Sequence, residues 1–382
     1  MKEKKKIIVL GAGLVGGPMA IDLAKEEEFQ VSAVDVNKNS LDKLKDYPVT
    51  TIQMDLSNPE KIQYLVKDYD FVINALPGVI GFRTLEAVIR SRKNIVDISF
   101  FEEDPFLLDE LAKKNNVIAI VDCGVCPGMS NVLIGYVDHL LDETENVYIF
   151  VGGLPKIREW PYEYKAVFSP MDVIEEYIRP ARFIENRKLV TKPALSDREY
   201  INFEGIGTLE AFNTDGLRTL LKTIKVKNMR EKTLRYPGHC EKMLILRETG
   251  FFSKQEIEID GKRIRPIDFT SKILFPKWKL EEGEADLTVL RIIIEGKKEK
   301  KRLRYTYEMF DRYDEKTQTH SMARTTGYTA TASLRMIVKG LYIRIGISAP
   351  EFVGENPKCV EFMLSELKKR GVIYREKIEK IV

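Results

Sequence analysis

The stretch KKIIVLGAGLVGG, residues 5–17, joins an apolar run to a spaced set of glycines near the start of the chain. An apolar strand, the pattern G-x-G-x-x-G and a following helical pattern are typical of a dinucleotide-binding turn. Gly11 permits the tight turn, Gly13 lets the backbone approach a pyrophosphate, and Gly16 allows the helix to pack closely on the strand. The sequence therefore predicts a phosphate-binding turn made of Gly11, Ala12, Gly13, Leu14, Val15 and Gly16.

The first 125 residues alternate short apolar runs with helix-length amphipathic patterns. The apolar runs are KKIIVL, FQVSAV, VTTIQM, DFVIN, NIVDI and VIAIV. Strands that read as continuous apolar runs between helices indicate a parallel sheet that is covered on both faces. We therefore predict an α/β protein whose N-terminal domain, residues 1–125, is a Rossmann doubly wound parallel sheet.

Several of these strands end in loops where an open parallel sheet binds its ligand. Asp35 ends the second strand, where a carboxylate accepts hydrogen bonds from ribose hydroxyls and repels a 2′-phosphate, and residues 36–38 contain no arginine. This pattern predicts NAD as the cofactor rather than NADP, while a role in capping the next helix stays open for Asp35. The other predicted cofactor contacts are Asp55, Leu56, Ala75, Leu76, Pro77 and Ser99.

Beyond residue 125 the pattern changes to long alternating segments such as ADLTVLRIIIEG and RLRYTYEMFDRYD. Alternation of apolar and polar residues is typical of an antiparallel or mixed sheet with one solvated face. We therefore predict a second α/β domain over residues 126–382 that binds the substrate and supports oligomerisation. A helical pattern near 325–341 fits either domain, because periodicity does not say where a helix packs.

The charge balance and the apolar segments of the sequence indicate which kinds of partner the protein does not bind. Lys and Arg number 61 against 58 Asp and Glu, and the basic run at 297–302 is interrupted by Glu299, as in a solvated turn. This balance argues against nucleic acid, and the glycine-broken first apolar run argues against a signal peptide or a membrane span. We expect a cytoplasmic protein with a small-molecule substrate, and its 31% charged residues, rich in Lys and Glu, fit a hot environment.

The stretch VDCGVCPGMSN, residues 121–131, holds Cys123 and Cys126 in a Cys-x-x-Cys spacing. It follows the sixth predicted strand, whereas redox motifs of the thioredoxin type belong to the first strand–helix turn of a different fold. The chain has four cysteines and no second Cys-x-x-Cys, so neither a disulfide framework nor a zinc site is indicated. We predict no metal, and a single disulfide between the two residues stays open.

Four segments carry a resemblance to a known family: VDCGVCPGMSN, GIGTLEAFNTDGLRTL (206–221), TLRYPGH (233–239) and SMARTTGYTA (321–330). Together they resemble the saccharopine dehydrogenase family, and among its members the NAD-dependent L-lysine 6-dehydrogenases. The resemblance implies a Rossmann domain, a second α/β domain, a homo-oligomer (dimer or tetramer) and oxidation of an amine carbon. For these members the product is the 6-semialdehyde of lysine, which cyclises to a piperideine carboxylate after ammonia is released.

Amine oxidation needs a group that manages a proton. Hydride leaves the ε-carbon only when the nitrogen has a lone pair, yet a lysine amine titrates near pH 10.4. A base or desolvation must therefore remove the proton. The candidates are His239, Asp97 and Asp122, although His239 fits a solvated turn histidine equally well.

The substrate carboxylate needs a fixed cationic partner, and an arginine fork provides bidentate geometry. Arg235 is the first candidate and Arg324 the second, while a structural ion pair stays open for both. Tyr236 belongs to the same motif as Arg235. Glu210 and Asp215, in LEAFNTDG, either hold that segment in shape or contact the substrate amine.

Two other functions stay open at this point. The first is a saccharopine dehydrogenase that acts on a lysine-derived secondary amine, whose longer substrate would need further cationic groups. The second is a nicotinamide-binding regulatory protein without turnover. Reduction of NAD on addition of an amino acid distinguishes the enzymes from the regulator.

Overall fold

The computed structural model describes residues 3–281 and 283–382. They divide into two compact units: unit 1 comprises the chain up to Leu141 together with Met322–Tyr374, and unit 2 comprises Asp142–Ser321 and Arg375–Val382. This division differs from the sequence boundary at residue 125. Residues 126–141 and 322–374 lie in unit 1, although the predicted second domain includes them, with only the helical pattern near 325–341 left open between the domains.

Strands and helices are numbered along the chain. The strands are β1 (Lys5–Leu10), β2 (Phe29–Asp35), β3 (Val49–Gln53), β4 (Phe71–Asn74), β5 (Asn94–Asp97), β6 (Ile118–Ile120), β7 (Glu143–Pro155), β8 (Ala181–Glu185), β9 (Lys188–Lys192), β10 (Glu199–Phe203), β11 (Gly207–Asn213), β12 (Asn228–Arg235), β13 (Ile257–Ile259), β14 (Lys262–Ile264), β15 (Asp286–Lys298), β16 (Lys301–Arg312), β17 (Gly346–Ser348) and β18 (Tyr374–Ile381).

The α-helices are α1 (Gly16–Leu23), α2 (Lys38–Asp42), α3 (Pro59–Val66), α4 (Gly78–Arg90), α5 (Asp109–Lys114), α6 (Met129–Leu140), α7 (Pro170–Ile178), α8 (Leu220–Thr223), α9 (His239–Glu248), α10 (Pro266–Trp278), α11 (Tyr328–Val338), α12 (Pro350–Gly354) and α13 (Pro357–Lys369). A 3₁₀ turn spans Pro105–Leu108 and a π-helical turn spans Ala323–Gly327. Within the described part of the chain, helices are either too short or too polar to cross a bilayer.

Unit 1 contains a seven-stranded parallel sheet in the order β17-β6-β5-β4-β1-β2-β3. The predicted Rossmann sheet is confirmed, and its six predicted strands are β1–β6. The seventh, β17, escaped prediction because it is three residues long and lies among turn-forming residues. Strand β1 lies between β2 and β4, so the strand order reverses at its carboxyl end, where this type of sheet forms a ligand crevice.

The helical pattern near 325–341 forms the π-helical turn and α11, and both belong to unit 1. A Cβ atom on Gly327 would lie 3.1 Å from Met19 Cγ, so this turn packs directly against α1. Arg335 of α11 pairs with Asp22 of α1 at 2.8 Å, and Arg370 pairs with the same carboxylate at 2.7 Å. These buried ion pairs fix the helix that follows the glycine-rich turn.

Unit 2 is built on a mixed sheet, which confirms the second predicted sheet. Its main path is β10-β11-β12-β7-β15-β16-β18, with β8 and β9 attached to β12. Strands β12 and β7 run parallel, whereas β15 is antiparallel to both β7 and β16. The basic run at 297–302 lies in the β15–β16 hairpin turn, where Lys298 and Lys301 face each other. An aromatic core around Trp278, Tyr177 and Phe212 packs beneath α7, α9 and α10.

Candidate active site

The glycine-rich turn joins β1 to α1 in the way the sequence predicts. Gly11 has a φ of +95°, and a Cβ there would lie 2.7 Å from the Ala75 carbonyl oxygen. A Cβ on Gly16 would collide with the Gly11 carbonyl, so helix and strand meet at these glycines. Gly13, in contrast, faces open space with no atom within 4 Å of a Cβ. The turn therefore leaves room at Gly13, next to the helix N-terminus, for a phosphate group.

Asp35 lies beside this turn at the end of β2. Its two carboxylate oxygens accept hydrogen bonds from the Ala12 N–H and the Asn37 N–H, each at 2.8 Å. Asn37, not Asp35, caps α2 by accepting from the Asn39 N–H at 3.0 Å. Because each carboxylate oxygen accepts more than one hydrogen bond, Asp35 retains capacity for ribose hydroxyls.

The loop after β3 has a different character. Asp55 accepts from the Ser57 backbone N–H and hydroxyl at 2.9 Å each, and these bonds lower the pKa of its carboxyl group. Leu56 is buried in the core of unit 1 with Ile62 and Val66. Of these two predicted cofactor contacts, Asp55 is thus exposed at the turn, whereas Leu56 anchors the turn in the core of unit 1.

The loop after β4 lies under the glycine-rich turn. The Ala75 N–H donates to the Leu10 carbonyl at 2.8 Å. The Ala75 backbone lies against Gly11, and the Ala75 Cβ atom lies against Gly16. The Leu76 N–H donates to Asn74 Oδ1 at 3.3 Å, and Pro77 immediately precedes α4. The three predicted residues Ala75, Leu76 and Pro77 thus continue the surface that begins at Gly11.

A buried polar network joins the loops after β4 and β5. Asn74 Nδ2 donates to Asp97 Oδ2 at 2.9 Å and to Ser99 Oγ at 3.2 Å, and the Ser99 N–H donates to Asp97 Oδ1 at 2.7 Å. The Ser99 hydroxyl also donates to Asp97. Burial raises the pKa of Asp97, these hydrogen bonds lower it and the nearby Asp122 carboxylate raises it, and the net result is a pKa of about 7.

Asp122 lies in the loop after β6, next to this network. It is buried and has a φ of +50°, a left-handed conformation that non-glycine residues adopt at a cost. The following Cys123 N–H donates to the Asp97 carbonyl at 2.9 Å, which holds the two loops together. The predicted acids Asp97 and Asp122 therefore form one site, at the same sheet edge as the glycine-rich turn.

The two cysteines of the same loop are not joined to each other by a disulfide. Cys123 is buried, its thiol donates to Ser333 Oγ at 3.1 Å, and burial raises its thiol pKa to about 12. A thiol held protonated in a core is a poor nucleophile. Cys123 therefore serves to pack β6 against α11.

In unit 2, Arg235 is 2% exposed and each of its nitrogens has a protein partner. Nη2 donates to Glu176 Oε2 at 2.5 Å, Nε to the Tyr177 hydroxyl at 3.2 Å, and Nη1 to the Leu234 carbonyl at 3.0 Å. Its guanidinium carbon also lies 4.6 Å from the ring centre of Tyr164. This is the structural ion pair that the sequence analysis left open.

His239 belongs to the same buried cluster rather than to a solvated turn. Its Nε2 lies 2.9 Å from the Tyr177 hydroxyl and its Nδ1 lies 2.8 Å from the Tyr162 carbonyl oxygen. Burial, and then the charge of Arg235, lower the pKa of His239 to about 3. The histidine is therefore neutral at physiological pH, with both ring nitrogens engaged.

The remaining predicted substrate contacts are spread over several places. Tyr236 donates to the Pro155 carbonyl at 2.9 Å, and Glu210 accepts from the Gly238 N–H at 3.1 Å. Asp215 forms a bidentate pair with an arginine of β8, with N–O distances of 2.9 and 2.8 Å. Arg324 lies in unit 1, where Nη2 donates to the Arg370 carbonyl at 2.9 Å. Arg235 and His239 thus share one cluster, because both contact Tyr177.

Three residues of these networks escaped prediction: Asn74, Glu176 and Tyr177. Asn74 ends a buried strand, and a polar residue at the carboxyl end of a parallel strand is a signal that could have found it. Glu176 and Tyr177 lie in the amphipathic α7, and nothing in its sequence pattern points to a distant arginine. Only their contacts with Arg235 in the folded protein show that Glu176 and Tyr177 belong to this network.

Family comparisons bear on both units. A family model described as Saccharopine dehydrogenase NADP binding domain matches residues 7–120, and one described as Saccharopine dehydrogenase C-terminal domain matches residues 124–372. The chain belongs to the saccharopine dehydrogenase family. The first of these descriptions names a domain that binds NADP, which is a nicotinamide cofactor. The glycine-rich turn, with its open space at Gly13, fits such a cofactor.

Individual relatives are distant. Mouse mitochondrial alpha-aminoadipic semialdehyde synthase is 26% identical over 279 residues, which cover 67% of this chain and 29% of that protein. This chain therefore spans only about 29% of the length of the curated relatives it matches first. The saccharopine dehydrogenase [NADP(+), L-glutamate-forming] of Schizosaccharomyces pombe is 22% identical over 451 residues, covering 97% of this chain and 98% of that one.

One solved structure has the same fold over the full chain. The apo saccharopine dehydrogenase (L-Glu forming) from Saccharomyces cerevisiae aligns with a TM-score of 0.80 and 18% sequence identity, covering 98% of this chain and 100% of that one. At this identity the likeness concerns the fold. The cofactor form and the amine substrate of this chain stay predictions.

Proposed function

We propose that this protein oxidises the ε-carbon of L-lysine with NAD, giving the 6-semialdehyde and ammonia. The observation that carries the proposal is the Asp35 carboxylate, held beside the glycine-rich turn by the Ala12 N–H. The motif resemblance supports lysine as the substrate. The name of the mouse relative also supports lysine as the substrate. It contains alpha-aminoadipic semialdehyde, which is the compound that oxidation of the ε-carbon of lysine yields.

The choice of NAD follows from charge. A carboxylate at the end of β2 attracts ribose hydroxyls and repels the 2′-phosphate of NADP. Residues 36–38 supply no arginine to hold that phosphate. The NADP named for the S. pombe relative belongs to that protein.

Family members of this kind use the nicotinamide ring to accept a hydride, and the chain itself must handle the proton. We assign proton acceptance from the substrate amine to Asp122, with Asp97 as a positioning acid behind it. Below about pH 7 Asp97 is protonated, and above it Asp97 ionises. The added negative charge then favours transfer of the amine proton to this pair of acids, so the rate should rise with pH through this range.

His239 and Arg235 receive structural roles in this proposal. A histidine with a pKa of about 3 does not take a proton from an amine at neutral pH. A substrate carboxylate could reach Arg235 only by replacing Glu176 in a buried pair. Tyr236, Glu210, Asp215 and Arg324 likewise have protein partners, and we assign them to the support of their loops.

A second candidate is a saccharopine dehydrogenase that acts on a secondary amine. The S. pombe relative, a saccharopine dehydrogenase that aligns over nearly the full length of both chains, favours it. It shares the hydride chemistry and differs in the leaving amine, because saccharopine releases an amino acid where lysine releases ammonia.

The test combines a cofactor pair with a substrate pair. NADH and NADPH formation are followed at alkaline pH with lysine or saccharopine, in the wild type and in Asp35→Ala. We expect reduction of NAD with lysine, and in Asp35→Ala a loss of preference for NAD over NADP. Equal use of NADP by the wild type would refute the role given to Asp35. Activity with saccharopine alone would replace lysine by the second candidate.

A further inference from the structure

Strand β18 forms one edge of the sheet in unit 2. It neighbours β16 on one side, and within residues 3–281 and 283–382 no strand pairs with its other side. The strand is eight residues long and its middle residue Ile378 is 51% exposed. An exposed edge of this length presents unpaired N–H and C=O groups to another strand.

The charges of β18 are arranged symmetrically about Ile378, in the order Glu376, Lys377, Ile378, Glu379 and Lys380. In an antiparallel pair of identical strands centred on Ile378, Glu376 faces Lys380 of the second copy. Lys377 faces Glu379 in the same way, and Ile378 faces itself. Directly opposite residues of unlike charge stabilise an antiparallel pair, whereas like charges destabilise it.

Other registers of the same pairing bring like charges together. Side-chain alternation requires the two-fold axis to pass through a residue, because otherwise inward and outward positions would face each other. An axis through Lys377 or Lys380 places lysine opposite lysine. An axis through Glu376 or Glu379 places glutamate opposite glutamate. Charges on an edge strand commonly prevent pairing, but here they select one register.

Existing contacts hold these side chains in suitable positions. Lys377 and Glu379 pair at 2.9 Å on one face of the strand, so pairing of two copies would give alternating charges there. On the other face Tyr307 of β16 donates to Glu376 and fixes its carboxylate. The opposite sheet edge, β10, has no such pattern, since its one charged residue, Glu199, pairs with Lys232 of its own chain.

We propose that β18 is the dimerisation strand of this protein, pairing antiparallel with β18 of a second copy about Ile378. The two sheets of unit 2 would then form one continuous sheet across a two-fold axis. The occupant of the edge is a second copy because the charge pattern complements itself. This interface is independent of the reaction proposed above.

The first experiment measures assembly of charge variants of the full-length protein by sedimentation velocity. Lys377→Glu places two glutamates opposite each other twice per dimer, and we expect the dimer dissociation constant to rise roughly tenfold or more. The swap Lys377→Glu with Glu379→Lys restores unlike charges and should restore the dimer. Circular dichroism verifies that each variant is folded. A monomeric wild type, or a swap that fails to restore a dimer lost in Lys377→Glu, would overturn the proposal.

The second experiment tests the register. Ile378→Cys should cross-link to itself with a short bis-maleimide, because Ile378 faces its own copy on the axis. The matched control is Tyr200→Cys on the β10 edge, where Tyr200 is 68% exposed, and the wild type controls for the native thiols. Cross-linking of Ile378→Cys alone supports the pairing. Cross-linking of Tyr200→Cys alone, or of neither variant, contradicts it.

Discussion

In unit 1 the candidate residues follow the ends of parallel strands, whereas in unit 2 they are held by side chains from distant segments. Gly11, Gly13 and Asp35 owe their positions to the backbone of β1, β2 and α1. Arg235 and His239 instead depend on Glu176, Tyr177 and Tyr162, which lie far away in the sequence. A change in unit 1 should therefore remove ligand binding and spare the fold, while a change in unit 2 should lower stability first.

The largest expected effect is on the buried pair of unit 2. Arg235→Met leaves the largely enclosed Glu176 carboxylate without its cation and also removes the Arg235 bond to Tyr177, so we expect the free energy of unfolding to fall by about 3 kcal/mol. The double variant with Glu176→Gln should recover much of the loss. Arg187→Met, which breaks the exposed pair with Glu143, is the matched control with an expected cost of about 1 kcal/mol or less. A stable Arg235→Met with only a raised KM for substrate would restore the carboxylate-binding role.

The second prediction concerns the open space in unit 1. Gly13→Val places a side chain in the space where we expect a cofactor phosphate to bind. No protein atom lies within 4 Å of a Cβ at this position, so the melting temperature should hardly change. NADH binding, measured by fluorescence, should weaken about 100-fold, or about 2.8 kcal/mol. Gly13→Ala should give an intermediate loss. Unchanged NADH affinity in the valine variant would mean that the phosphate lies elsewhere.

The third prediction concerns the acids next to this turn. Asp97→Asn removes the group that titrates near pH 7, so the rise in kcat through that pH should disappear while the steeper rise toward the amine pKa remains. We expect kcat at pH 8 to fall roughly tenfold, or about 1.4 kcal/mol. Asp55→Asn, at an exposed turn, is the matched control. A wild-type pH profile in Asp97→Asn would leave Asp97 with a packing role only.

The smallest effect is expected for the Cys-x-x-Cys stretch. The double variant Cys123→Ala with Cys126→Ala should retain turnover, because hydride transfer needs no thiolate and Cys123 is buried and protonated. Its heat stability should fall slightly through the lost contact with Ser333. Loss of turnover in a folded variant that still binds NADH would point to thiol chemistry.

The sequence was sufficient for the features that repeat along the backbone. Apolar runs and helix-length patterns predicted β1–β6, and the glycine spacing located the turn before α1. The short β17 was missed because it lies among turn-forming residues, whereas the equally short β6 lies in a continuous apolar run. Residues 322–374 lie in unit 1, whereas the predicted boundary placed them in the second domain and left only the helical pattern near 325–341 open. Their place in unit 1 depends on contacts such as the ion pair between Asp22 and Arg335. These residues are far apart in the sequence, so the local residue pattern does not predict the contact.

Side-chain roles were harder to predict than strands. A motif histidine after a turn could be solvated, catalytic or buried, and only the contacts with Tyr177 and Tyr162 distinguish these cases. The proximity of Asp97 and Asp122 could be predicted because both follow buried strands of one sheet, whose carboxyl ends meet at one edge. Asn74, which joins their loops, could have been found in the same way.

We propose that lysine alone, with NAD, is oxidised at its ε-carbon. This is tested by measuring ammonia and NADH in one reaction with lysine that carries heavy nitrogen at its ε-position, and by identifying the product by mass spectrometry. We expect one labelled ammonia for each NADH and an unlabelled cyclic imine that keeps the α-amino nitrogen in its ring. NADH without ammonia, or NADH formed only from saccharopine with release of an amino acid, would contradict it.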